Sequence, residues 1–279
     1  MRFVRISVLV ALSLLSLTAQ SASSPIDASP HRVQFVRVNG DVRLEVLDWG
    51  GSGRPLVLLS GYGDTAHVFD LIAPKLSDTY HVYGVTRRGF GASDSPASGY
   101  SVDALAGDLL DVFDVMRLNK PVLVGHSIAG EEMTALASGH PDRIGALVYL
   151  DAAYDRSATR DLPLEQKIEM SKRYGKTASI WLEIKESTPK PDYAHVQAPA
   201  LAMFAGWPFP DDIEKIQDEP RRREAEKRYM ERRQATIQEF QRSMPRAHVI
   251  DLSNSDHYMF LSHEADVLRE TRAFLAALP

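Results

Sequence analysis

The residues best suited to chemistry surround Ser127, in the run Pro121-Val122-Leu123-Val124-Gly125-His126-Ser127-Ile128-Ala129-Gly130. A buried strand that runs into Gly-x-Ser-x-small and then into a helix makes a nucleophile elbow. The small residues two before and two after the serine let the chain turn tightly. The serine itself takes a strained conformation that pushes its hydroxyl out of the sheet. Ala129 fills the second small position, and Gly130 follows it. A serine hydroxyl is a weak nucleophile until a base takes its proton. The chain has nine histidines. His257, in the loop Ser253-Asn254-Ser255-Asp256-His257-Tyr258 after the last strand-like run, is the one best positioned to fold back over Ser127. His248 lies within that run and His263 in the helix after it.

A third group must hold the imidazole in one tautomer and stabilise its charged form. Asp151 closes the run Ala146-Leu147-Val148-Tyr149-Leu150, at the carboxyl edge of a sheet where catalytic groups gather. The competing carboxylates are Asp211 and Asp212, which follow Gly206-Trp207-Pro208-Phe209-Pro210 and stand further from a strand end. The order Ser, acid, His along the chain suits the elbow architecture. Two backbone N–H groups are needed for the developing oxyanion. Ile128, directly after the serine, supplies one, and Tyr62 in Ser60-Gly61-Tyr62-Gly63 the other. Acyl transfer to water is the chemistry such a set performs, without a cofactor or a metal.

These residues need a sheet to hold them. Short apolar runs predict strands at Val33 to Val38, Val42 to Leu47, Leu56 to Ser60, His81 to Thr86, Pro121 to Gly125, Gly145 to Leu150, Pro199 to Ala205 and Ala247 to Leu252. Asn39-Gly40 between the first two signals a hairpin. Helix-like segments alternate with the later runs, the rhythm of a mostly parallel sheet covered on both faces. One such helix is Ser101 to Met116, with Val102, Leu105, Leu109, Val112 and Phe113 on its apolar side and Asp103, Asp108, Asp111 and Asp114 on its polar side. Glu131 and Glu132, in the first turn after the elbow, favour the positive end of their helix. Between Tyr154 and Val196 the chain turns polar and helical, including Leu164 to Tyr174 and Ile180-Trp181-Leu182. This segment is either a lid over the ligand edge or a long crossover with loops. Pro220 to Met244 predicts a further helix with a buried stripe at Tyr229, Ile237, Phe240 and Met244, which gives its arginines a structural role.

With 279 residues and 44% hydrophobic composition, the chain can bury a large core. A net charge of −5, with both signs intermixed, excludes a nucleic-acid footprint. The absence of cysteine removes thiol nucleophiles, thiolate metal sites and disulfides. Arg2 and Arg5, then the twelve-residue apolar run Ile6 to Leu17 and small residues near Ala19 to Ser23, predict a signal peptide over residues 1–21. The run is too short for a bilayer, which takes about 20 residues. Export to the periplasm or beyond is expected, with no stable membrane anchor after cleavage.

Taken together, these residues resemble the α/β-hydrolase family over nearly all of the chain from about Arg32 onward. Thr86-Arg87-Arg88-Gly89-Phe90-Gly91-Ala92-Ser93 is similar to the family's Asp-x-Arg-Gly-x-Gly-x-Ser turn, with Thr86 where an acid usually stands. Ser60-Gly61 resembles its His-Gly oxyanion loop. Members carrying the acid after the later strand usually read Gly-x-x-Asp, whereas Phe209 stands three after Gly206, so the resemblance implies Asp151. It further implies an α/β-hydrolase fold over residues 32–279: an eight-stranded, mostly parallel sheet flanked by helices, with a small helical lid at about 154–196 after strand 6. A serine rather than a carboxylate nucleophile argues against the haloalkane dehalogenase and epoxide hydrolase branches. The implied activity is hydrolysis of a small to medium, apolar carboxylic ester through an acyl-enzyme. A peptidase, lactonase or carbon–carbon hydrolase on the same residues, or a ligand-binding protein that retains the fold, stays open.

Overall fold

Successive side chains of a strand point to opposite faces, so a strand buried on both sides divides its residues between two cores. The computed structural model, which describes residues 30–39, 41–206 and 211–278 with the side chains of 211 and 212 excepted, has this division throughout its central strands. On one face Val57, Leu59, Leu123, Leu147, Tyr149, Ala202 and Phe204 form a single cluster. On the other, Leu56, Leu58, Val122, Val124, Val148, Leu150, Leu201 and Met203 form a second.

The strands are β1 (Arg32–Val38), β2 (Val42–Gly50), β3 (Pro55–Leu59), β4 (His81–Val85), β5 (Val122–His126), β6 (Ala146–Leu150), β7 (Ala200–Ala205) and β8 (His248–Leu252). They make one eight-stranded sheet in the order β1-β2-β4-β3-β5-β6-β7-β8. β1 and β2 pair antiparallel, as does β2 with β4, and every later pair is parallel. All eight expected strands are present, with ends that differ by at most one residue except in β2, which runs three residues further. The hairpin pairs Val38 with Val42, and Asn39 in its turn has a positive φ of 39°. Gly40, residues 207–210 and residues 1–29, with them the signal peptide expected over 1–21, lie outside the described residues.

The helices are α1 (Ala73–Leu76), α2 (Val102–Met116), α3 (Ala129–Gly139), α4 (Leu164–Ser171), α5 (Ala178–Ser187), α6 (Asp211–Glu214), α7 (Glu219–Ser243), α8 (Met259–Ser262) and α9 (Glu264–Ala276). α2, α3 and α7 contribute to the first core, and α1, α8 and α9 to the second. Among the described residues no helix is long and apolar enough to cross a membrane. α2 begins where Ser101 Oγ accepts from the Ala104 N–H. Its expected polar face is only partly solvent-exposed: Asp108 is buried, 2% exposed. The Arg88 guanidinium donates to both Asp108 carboxylate oxygens, and its Nη1 donates at 3.0 Å to the Gly99 carbonyl.

The segment between β6 and β7 consists of short 3-10 turns together with α4 and α5. α5 packs Ile180 and Ile184 against Phe90, Tyr100, Leu105 and Ile128 in a third cluster, apart from the two sheet cores. α7 has its buried stripe at Ile237 and Phe240, with Met244 just beyond its end and Tyr229 only half-buried. The stripe includes Arg233, whose guanidinium donates to the Phe204 and Ala205 carbonyls and to Asp251. This arginine closes the carboxyl end of β7, as the structural reading of the helix's arginines expects.

Candidate active site

The register of the sheet brings the candidate residues to one edge. Gly125 pairs with Tyr149 and His126 with Leu150, so Ser127 and Asp151 are the next residues out on adjacent strands. The Ser127 N–H donates to the Leu150 carbonyl (3.2 Å) and the Asp151 N–H to the Met203 carbonyl (2.9 Å). Both residues have positive φ, 55° at Ser127 and 49° at Asp151. A left-handed conformation costs a non-glycine residue about 1–2 kcal/mol, and here two adjacent strand ends both adopt it.

The small residues around the elbow are sterically required. A Cβ on Gly125 would come within 2.0 Å of Met133 Sδ, and one on Gly130 within 1.9 Å of the Ala152 carbonyl oxygen. The second of these contacts is backbone and cannot swing aside. Close approach of α3 to the end of β6 therefore needs the glycine after Ala129 as much as the small residue two after the serine.

His257 lies after β8, in the turn before α8. Its Nε2 is 2.9 Å from Ser127 Oγ, and its Nδ1 is 2.6 Å from Asp151 Oδ2. The other Asp151 oxygen accepts from the Tyr154 hydroxyl and, at 3.1 Å, from the Ala205 N–H. Burial pushes the Asp151 carboxyl up, but the His257 hydrogen bond and charge, with the hydrogen bonds from Tyr154 and the Ala205 N–H, outweigh it and hold the carboxyl below its ordinary range. Asp151 is therefore an anion beside an imidazole that faces a serine hydroxyl. The same imidazole can take a proton from the hydroxyl and return it to a leaving group. His263 instead has its Nδ1 on Ser262 Oγ at 3.1 Å, and His248 begins β8 with an exposed side chain. The side chains of Asp211 and Asp212 are outside the described residues.

Several supporting residues were not evident in the sequence. His126, buried behind His257, donates from Nε2 to the His257 carbonyl at 2.8 Å, and the two rings are 4.4 Å apart. Burial, reinforced by the neighbouring His257, depresses the His126 imidazole to about 3. A histidine kept neutral in the folded state but charged in the unfolded one contributes stability fully above the ordinary value of 6.5, and loses it as pH falls towards 3. In His126→Gln, whose amide can still donate to the His257 carbonyl, the fall in melting temperature between pH 6.5 and pH 4 is expected to be shallower than in the wild type. Thermal melts across that range measure the difference.

Arg87 ties the loop after β3 to α3. Its guanidinium donates to Glu132 (2.6 and 3.3 Å), to the Ser60 carbonyl (3.1 Å) and to the Gly61 carbonyl (3.3 Å). In a trans peptide the C=O and the following N–H point in opposite directions. Holding the Gly61 carbonyl therefore aims the Tyr62 N–H away from Arg87. Arg87 and Glu132 side chains are each only 6% exposed. Removing one partner of such a pair costs about 3–5 kcal/mol because the other is left charged in the interior. Arg87→Met is expected to lose stability on that scale, and Arg87→Met with Glu132→Leu to regain most of it, as measured by urea unfolding.

Glu131 is also buried and paired, contrary to the expectation that it serves only the helix end. It accepts from Lys185 Nζ at 2.6 Å and from Thr188 Oγ1 at 2.7 Å, so α5 is anchored to α3. Tyr62 makes a second tie, its hydroxyl donating to the Thr177 carbonyl and its ring resting edge-on against Phe90 and Tyr174. A cavity of about 240 Å³ runs along α3, lined by Glu131, Thr134, Tyr154, Arg156 and Lys190 among others. Its lining mixes polar and apolar groups and includes neither Ser127 nor His257.

Residues 56–270 match the model of a family described as the alpha/beta hydrolase family. A Caulobacter segnis protein named as a carbamate hydrolase is 39% identical over 110 residues, 38% of this chain and 41% of that one. A fluoroacetate dehalogenase of a Burkholderia species is 33% identical over 117 residues, 40% of this chain and 38% of that one. The chain thus spans about two-fifths of the length of these curated relatives. Among solved structures, the enol-lactonase of Burkholderia xenovorans superposes with a TM-score of 0.66 at 18% identity, over 87% of this chain and all of that one. At that identity the likeness is one of fold.

Proposed function

The chain belongs to the alpha/beta hydrolase family, and on that premise we propose that it is a serine hydrolase that cleaves a small to medium, apolar carboxylic ester through an acyl-enzyme on Ser127. The observation that carries this reading is the unbroken line from Ser127 Oγ to His257 Nε2 (2.9 Å) and from His257 Nδ1 to Asp151 Oδ2 (2.6 Å). In the first half-reaction Ser127 Oγ bonds to the ester carbonyl carbon as its proton passes to His257 Nε2. The resulting oxyanion takes hydrogen bonds from the N–H groups of Ile128 and Tyr62. The carbon–oxygen bond to the alcohol then breaks, and that oxygen receives the proton from His257. Water, deprotonated in turn by His257, attacks the acyl carbon and releases the acid and Ser127.

The related dehalogenase acts on carbon–halogen bonds, chemistry for which a carboxylate nucleophile is suited. A hydroxyl at position 127 favours acyl chemistry instead. The segment at about 154–196 acts as the lid. What supports this role is that α5 packs on Ile128 and Phe90 and that Tyr62 reaches the Thr177 carbonyl. Residues 1–21 serve as an export leader in the same reading, and the substrate is a small molecule met outside the cytoplasm.

The test is a series of p-nitrophenyl esters from acetate to octanoate, run in buffer with and without methanol. A common acyl-enzyme partitions between water and methanol in a ratio set by the acyl group alone. Methyl ester and acid should therefore appear in the same ratio from p-nitrophenyl and phenyl esters of one acid. Failure to turn over any ester of the series, or a ratio that changes with the leaving group, would refute the proposal.

A further inference from the structure

Outside this site, on the segment that leads into β1 and the turn that follows the loop after β3, three metal-ligating side chains converge. His31 immediately precedes β1, while His67 and Asp70 belong to the 3-10 turn Ala66–Phe69 and its last cap. One ligand atom from each of the three lies within 4.8 Å of the other two. His31 Nδ1 is 3.6 Å from Asp70 Oδ1, and His67 Nδ1 is 3.2 Å from Asp70 Oδ2.

Those separations suit a small dication. Zinc binds nitrogen and oxygen at roughly 2.0–2.1 Å, so tetrahedral ligand atoms stand about 3.4 Å apart. The surroundings suit it as well. His67 turns its other nitrogen, Nε2, towards Glu45 Oε1 at 3.8 Å, and Glu45 accepts from the Thr86 hydroxyl at 2.7 Å. A metal-bound imidazole commonly has a carboxylate behind its second nitrogen, which fixes the tautomer and raises the basicity of the ligand. The His31 side chain is 2% exposed and that of Asp70 9%, while His67 at 19% leaves a way in from solvent.

We propose that His31, His67 and Asp70 bind a zinc-like transition-metal dication, with water in a fourth position, and that the bound ion clamps the start of β1 onto the turn after the oxyanion loop. The sequence carries no sign of this site because His31 is remote from the other two ligands and no ligand-spacing motif joins them.

The experiment uses untagged, metal-stripped full-length protein, with zinc uptake measured by competition against a chromogenic chelator and cobalt uptake by visible d–d absorption. The wild type is expected to take up one ion, to show cobalt bands of a nitrogen- and oxygen-ligated low-coordinate site, and to melt at a higher temperature with zinc. His31→Gln and His67→Gln should lose at least a hundredfold in affinity and all of the zinc-dependent melting shift. Glu45→Gln should weaken binding by about tenfold. Asp70→Asn provides a second ligand variant if either glutamine variant fails to fold. No stoichiometric uptake by the folded wild type, or uptake undiminished in folded ligand variants, would overturn the proposal.

Discussion

Ser127→Ala is expected to lower kcat/KM for any ester substrate by on the order of 10⁵–10⁶-fold, because removing the nucleophile of a serine–histidine–acid set removes the function of the whole set. What remains is water attack aided by the backbone donors of Ile128 and Tyr62, on the order of 10³–10⁴-fold above the uncatalysed rate. The loss should appear in kcat with little change in KM, since the hydroxyl contributes to the transition state and not to ground-state binding. Stability provides a second readout. Ser127 has φ of 55°, a conformation that any residue with a Cβ resists and glycine does not. Ser127→Gly should therefore be the more stable of the two inactive variants, by about 1 kcal/mol. Initial rates and urea unfolding of both variants measure these two effects separately.

Asp151→Asn should have the next largest effect, a fall in kcat on the order of 10⁴-fold, because an amide no longer selects the tautomer of His257 that leaves Nε2 free to accept the serine proton. The variant also isolates the pH dependence of this residue. The Asp151 carboxyl is held below the ordinary 3.8, so the folded state binds the anion's partners more favourably than the unfolded chain does. That contribution is complete above the ordinary carboxylate range and disappears as pH falls through the lowered folded-state value. Between pH 5 and pH 2, then, the wild type should lose stability more steeply than Asp151→Asn, whose amide does not titrate there. An activity loss below about tenfold, or parallel melting curves in that range, would contradict the role assigned to this carboxylate.

Much of the architecture was legible because it rests on local patterns. The runs that became β3, β5, β6 and β7 are short, apolar and bounded by turn residues, as two-sided burial requires, and the Gly125 to Gly130 spacing follows from steric demands within one turn. What was not legible depends on partners far along the chain. Glu131 and Glu132 follow the elbow as acids suited to a helix start, yet each is buried against a cation, Lys185 and Arg87, that tertiary folding brings to it. Asp108 sits at a polar phase of α2, yet it faces Arg88. Arg233 lies in a strongly charged helix, and only the end of β7 beneath it reveals that it caps two carbonyls. Tyr154 and the Ala205 N–H complete the shell of Asp151; the first depends on how the loop after β6 turns and the second on the register of β6 with β7, and neither leaves a sequence signal.

Reaction with a fluorophosphonate tests the central claim most directly, since it requires a serine made nucleophilic by its surroundings and needs no knowledge of the substrate. Intact-mass measurement of the wild type is expected to show a single adduct, located on the peptide that carries Ser127. Folded Ser127→Ala should show none, and Asp151→Asn should react far more slowly than the wild type. A folded wild-type protein that takes no label, or takes it at another residue with Ser127 untouched, would contradict the account.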